Sequence, residues 1–288
     1  MGAISSLFGY LLNALYTVFN NYGIAIIVFS IILRLILIPI TIKQQKAMKK
    51  SAELQEEMKE IQRKYKNNPE KLNQETIDLY KREKMSPFAG CFSSIIQLVI
   101  ILSVFWLVSQ PLTYMKKIDT NVINDYKTQL QQEGNQSTYS EIAIINRFGA
   151  EDERVRLNME FLGLDLSKVP SSNMNDWTVY IIPILYVISS VGSIKLTNSF
   201  NKKKKKKDDK KAITDGKELQ LQEEPNELEA MEAMNKNMMY MLPLMSVFIA
   251  FIAPLGLALY WFISNVLMII EKIIIELVMK HKEEKENA

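Results

Sequence analysis

Arg34 stands in the middle of an apolar run, residues 24–42, that is long enough to cross a bilayer. A full charge at the centre of a span costs about 2.5–3.5 kcal/mol on insertion scales. The nearest end of the run is about eight residues away, roughly 12 Å at the helical rise. A snorkelling arginine covers only part of that distance. The guanidinium therefore calls for a protein-lined, water-reachable cavity, where it would attract a carboxylate. An internal carbonyl or asparagine that holds the helices together would meet the same need, and both readings stay open at this point.

Other chemistry-bearing residues are sparse. The single histidine, His281, lies in a charged tail, and the single cysteine, Cys91, has no partner for an internal disulfide. His-based acid–base catalysis and His-rich metal sites are therefore not expected. Neither a Gly-x-x-x-x-Gly-Lys phosphate loop nor a Gly-rich dinucleotide turn occurs in the sequence. Acids within the apolar runs are limited to Glu271 and Glu276, both near the end of the last one. An ion-coupled transporter usually buries an acid or histidine near the midplane, and inverted repeats are not visible here. The expectation is a polar cavity with no enzymatic reaction and no cofactor.

The elements that must position Arg34 are long apolar helices, and the chain reads as an all-α polytopic membrane protein. Five spans can be drawn, at residues 24–42, 87–109, 177–197, 238–253 and 255–275, the fourth being short. Pro254 alone separates the last two, which predicts a tight helical hairpin. Residues 1–23 carry an apolar stripe through Ile4, Leu7, Phe8, Leu11, Leu12, Leu15 and Phe19. That spacing predicts an amphipathic helix lying in the interface rather than a span. No basic n-region, cleavage site or lipobox cysteine is evident there.

Lysine and arginine set the orientation. Residues 43–86 carry 12 basic residues and residues 198–237 carry 10, so both segments are expected in the cytoplasm. The loop 110–176, with 7 basic and 10 acidic residues, is expected outside. The N-terminus is then outside, and the tail 276–288 is cytoplasmic. In the first cytoplasmic segment Ala47, Leu54, Met58, Ile61 and Tyr65 mark one helical stripe, and Leu72, Thr76, Leu79 and Tyr80 a second. Asn67–Asn68–Pro69 separates them, with Pro69 suited to a first helical turn, which predicts an antiparallel hairpin. The second cytoplasmic segment holds Lys202, Lys203, Lys204, Lys205, Lys206 and Lys207, followed by an acidic stretch, and is expected to be disordered. Such a lysine run suits anionic lipid or ribosomal RNA, or it serves only to enforce topology.

Several stretches resemble the YidC/Oxa/Alb membrane insertases, and they occur in family order. Leu33 to Lys46 resembles the first core helix. Lys64–Tyr65–Lys66 with Pro69 to Glu75 and Leu79–Tyr80 resembles the cytoplasmic hairpin. Pro87 to Cys91 and Ile95–Ile96–Gln97 resemble the start of the second core helix, and Phe161 to Ser167 the segment before the third. Met239 to Met245 and Leu257 to Asn265 resemble the last two helices. Each motif is weak alone; the ordered set, covering residues 24–275, is specific.

The resemblance implies a five-transmembrane-helix bundle with a hydrophilic groove, open to the cytoplasm and to lipid and closed on the outer side. It implies ATP-independent insertion of nascent membrane proteins, alone or beside the Sec translocon, by a monomer of the bacterial cell membrane. Arg34 matches the groove arginine; Gln97, Trp261 and Asn265 fall at similar groove-lining positions. The large external domain of Gram-negative members has no counterpart here, so the similarity is to the shorter, Gram-positive type. A specialised assembly factor anchored to ribosome or translocon, and a channel or transporter using Arg34 as an anion site, are the alternatives.

Overall fold

The computed structural model describes residues 2–66, 68–83, 89–135, 137–214, 245 and 247–286. Within these helices the side chains of Gln97 and Lys202–Lys207 are among those that lie outside the described set. So do residues 238–244 and 246 of the expected fourth span and 215–237 of the second basic segment.

Helix α1 spans Gly2–Phe19 and packs on two later helices, α2 (Tyr22–Lys64) and α4 (Ala89–Ser109). It also crosses the short α5 (Pro111–Tyr114) at Gly9, where a Cβ would sit 1.8 Å from the Tyr114 carbonyl oxygen. Only glycine permits that approach. Phe8 meets Phe29 of α2 edge-on at 5.7 Å. Asn21 starts α2 by accepting from the Ile24 amide at 3.0 Å, while its own amide donates to the Glu160 carbonyl.

Two expected elements are one. The first span and the first hairpin arm form the continuous helix α2, which runs straight through Pro39. After Pro39 the chain offers Gln, Lys, Ala, Met and Glu, all strong helix formers, so nothing stops the helix before Tyr65. Helix α3, Pro69–Arg82, begins with Pro69 at its first position and is capped by Asn68, whose side chain accepts from the Lys71 amide at 3.1 Å. It returns along α2: Arg82 pairs with Glu57, and Lys50 with Glu83.

The segment 110–176 is not a simple loop. Helices α6 (Thr120–Gln132) and α7 (Ser140–Phe148) bury Ile123, Leu130, Ile142, Ile144 and Phe148 between them and their neighbours. Glu141 is buried beneath them, accepting from both the amide and the hydroxyl of Thr113. A two-stranded antiparallel hairpin, β1 (Glu160–Phe161) and β2 (Leu164–Asp165), then leads to α8 (Ile181–Thr214). The hydrophobic pattern of α6 and α7 is enough to build this small core, which an overall polar composition conceals.

The backbone of α8 is helical through the lysine run to Thr214, and the rest of the segment expected to be disordered, 215–237, lies outside the described residues. Lysine has high helix propensity, which favours the helix although the lysines four apart in the run repel one another. Residues 247–252 form a further helical segment. The last helix, α9, runs from Leu255 through the expected tail to Glu286. Helices α8 and α2 flank α9.

The apolar surface is arranged for lipid. Ile31, Leu35, Ile36 and Ile40 of α2, Ile184, Leu185, Ile188 and Val191 of α8, and Ile273, Ile274 and Leu277 of α9 all point outward. Among the described residues three helices, at Gly2–Phe19, Tyr22–Gln44 and Trp177–Leu196, are long and apolar enough to cross a membrane. Helix α1, expected in the interface, thus also has the length and composition of a span.

Candidate functional site

In the apolar stretch of α2 the run of fully buried apolar residues stops at Leu33, and Leu54 in the hairpin arm is buried again. Tyr22, Ala25, Ile26, Phe29 and Leu33 are all packed inside; among the described residues from 34 to 44 of α2, none is buried. Arg34 is the first residue past that boundary.

Its neighbours follow from helical spacing. On α2, Ser30, Leu33, Arg34 and Leu37 recur at the three- and four-residue intervals of one face. On α9, Tyr260 and Ser264 stand four apart on the facing side, and Ile100 of α4 closes the third wall. These seven residues line a cavity of about 40 Å³. The space holds water, not a polypeptide segment.

The Arg34 side chain is 18% exposed, and its guanidinium reaches along α9. Its Nη2 donates to the Ser264 carbonyl at 3.3 Å, and its Nε stands 3.2 Å from Oε2 of Glu271, a carboxylate only 8% exposed. That contact is Coulombic rather than a fork of aligned hydrogen bonds. Neither Arg34 Nε nor either Glu271 oxygen has a hydrogen-bond partner of good geometry among the described residues. Lys272 is coupled electrostatically to both members of the pair. Two of the sequence-level readings of Arg34 thus hold together: it has an internal carbonyl partner and it borders a polar cavity. Among the described residues no cluster of three metal-binding side chains occurs.

The other expected site residues are placed differently. Trp261 and Asn265 lie one position further round α9 and face α8 instead of the cavity. The Asn265 amide donates to Ser189 Oγ at 3.2 Å and Ser190 Oγ at 3.0 Å, and Trp261 packs on Tyr186 with ring centroids 6.1 Å apart. In the described structure they join α8 to α9. The side chains of Gln97 and of Lys202, Lys203, Lys204, Lys205, Lys206 and Lys207 lie outside the described set. Sequence reasoning passed over Ser30, Tyr260, Ser264 and, above all, Glu271 as a partner. The signal was present: an acid within a span needs an internal partner, and one buried arginine was on offer.

Comparison with known proteins gives the family. A Treponema denticola protein named Membrane protein insertase YidC is 28% identical over 271 residues, which is 94% of this chain and 37% of that protein. A protein of the same name from Caldanaerobacter subterraneus subsp. tengcongensis is 40% identical over 105 residues, 36% of this chain and 51% of the relative. Another, from Fusobacterium nucleatum subsp. nucleatum, is 40% identical over 96 residues, 33% of this chain and 47% of the relative. The chain therefore spans about a third to a half of the length of these relatives. The sequence model of the family described as 60Kd inner membrane protein matches residues 14–283, nearly the whole chain. The protein belongs to that family, the one its ordered motifs resemble.

Proposed function

We propose that this protein is an ATP-independent membrane protein insertase, multi-pass in the bacterial cell membrane, that receives polar segments of nascent membrane proteins at Arg34. The observation that carries the reading is the position of Arg34 where burial stops within the apolar stretch of α2, beside a water-sized cavity and a buried carboxylate. The relatives' shared name supports it.

The mechanism follows from electrostatics. A segment to be translocated must carry polar or acidic groups through hydrocarbon. At 4 Å an opposite charge is worth about 1 kcal/mol in bulk water and about 4 kcal/mol at an effective dielectric of 20. A partly dehydrated groove gains most of that difference. The present cavity of about 40 Å³ is too small for a chain segment, so the faces of α2 and α9 must part to admit one. Glu271 acts as the resident counter-ion, keeping Arg34 paired until an incoming carboxylate takes its place. Release into lipid is driven by burial of the substrate's apolar helix at roughly 25 cal/mol per Å².

In this reading five helices span the membrane, the N-terminus is outside, and the α2–α3 hairpin stands in the cytoplasm. The Sec translocon, the ribosome and anionic lipid are its partners, the last two through Lys202–Lys207, and the monomer is the active form. Trp261 and Asn265 act by holding α8 on α9, and Gln97 lines the groove with Arg34. Insertion of purified nascent chains into liposomes carrying the protein tests the reading, with Arg34→Ala expected to impair substrates whose translocated segment is acidic.

A further inference from the structure

The hairpin between β1 and β2 turns on only two residues, Leu162 and Gly163, with φ of +52° and +78°. Both central residues at positive φ define the turn that asparagine–glycine satisfies best. Leucine there accepts a left-handed backbone that its side chain disfavours. It gains nothing from the protein in return, because Leu162 is 86% exposed. An exposed leucine kept on such a turn suits an apolar partner outside the chain.

The position of the turn identifies that partner. The hairpin is fastened to the start of α2: the Tyr22 amide donates to the Asn158 carbonyl, and Asn21 to that of Glu160. The chain just beyond it is fastened to the start of α9, where the Leu255 and Gly256 amides donate to the Lys168 and Leu166 carbonyls. Membrane-length apolar helix begins at Tyr22 and again at Trp177. The hairpin therefore sits level with the ends of the spans, and β2 packs on the 3-10 turn Trp177–Tyr180. Trp177 on that turn and Met174 three residues before it are 73% and 72% exposed. Three large apolar side chains are thus exposed on chain that lies near the ends of the spans.

We propose that Leu162, Met174 and Trp177 form an apolar keel that enters the bilayer interface and fixes the folded 110–176 segment against the lipid surface. The depth at which α2 and α9 sit would then be set from this side by the keel. This interaction is independent of Arg34 and of what the protein inserts.

The test uses the full chain with Cys91→Ser and one new cysteine, Leu162→Cys or Met174→Cys, carrying a nitroxide and reconstituted in phosphatidylcholine vesicles. Collision with oxygen, which concentrates in hydrocarbon, is compared with collision with a water-soluble nickel chelate. Gln132→Cys, exposed on polar α6, serves as the aqueous reference. The keel predicts several-fold lower nickel accessibility at positions 162 and 174 than at 132, together with high oxygen accessibility. Nickel accessibility equal to the reference at both positions would overturn it. Protection from both reagents would also overturn it, indicating contact with a second protein surface. Met174 makes no demand on the turn, so it reports even where cysteine disturbs position 162. Leu162→Asn, suited to positive φ, should hold or raise the thermal midpoint in detergent and raise nickel accessibility at Met174→Cys several-fold.

Discussion

Removing one member of the Arg34–Glu271 pair should cost far more than removing both. Taking one partner out of a buried ion pair costs about 3–5 kcal/mol in folded proteins, because the survivor is left charged and uncompensated. Arg34 retains 18% exposure and adjoins a cavity that admits water, so the low end of that range, about 3 kcal/mol, applies. The imperfect alignment of the pair points the same way. For a chain of this size each kcal/mol moves a thermal midpoint by about 2–4 °C, so Glu271→Leu or Arg34→Met alone should melt roughly 6–12 °C lower. The double variant carries neither charge and should recover to within about 1 kcal/mol of the parent, since apolar residues often replace a buried pair without loss. Thermal unfolding in detergent micelles of the four chains measures the coupling directly. The reasoning fails if either single change shifts the midpoint by less than about 2 °C, or if the double variant loses the sum of the two.

Two further outcomes are expected elsewhere in the chain. Burial raises the Glu141 carboxyl above its ordinary value despite the two Thr113 hydrogen bonds, so the folded state holds its proton more tightly than the unfolded state. Its contribution is present at low pH and is lost as pH climbs from the ordinary carboxylate range through the raised value. Thermal melts across that window should show a smaller decline in Glu141→Gln than in the parent, and an identical decline would exclude the assignment. Deleting the α2–α3 hairpin, residues 43–86, should abolish insertion of nascent chains into liposomes; wild-type insertion by the shortened chain would contradict a role for it.

Some of this structure is legible in the sequence and some is not, for physical reasons. The need of a polar partner at Arg34 can be read from the cost of a charge in hydrocarbon. The start of α3 is equally plain, because Asn68 and Pro69 are residue types that satisfy a helix N-terminus. The continuity of α2 is harder: a change from apolar to charged composition marks a change of solvent, not the end of a helix. The fold of residues 110–176 rests on a few inward residues, such as Ile123, Leu130 and Ile144, among many polar ones. Facing within α9 is the least legible feature. Each residue turns the helix by about 100°, and in a span apolar on every side hydropathy cannot separate Ser264, at the cavity, from Asn265, against α8. A resemblance that places a motif on the right helix does not settle its rotation.

The most direct test of the central claim is insertion into liposomes by Arg34→Ala and Arg34→Lys chains, using paired substrates whose translocated segment is acidic or neutral. The account predicts that the alanine chain loses insertion of the acidic substrate, keeps most of the neutral one, and that lysine restores the acidic one. Full insertion of the acidic substrate by the alanine chain would contradict it.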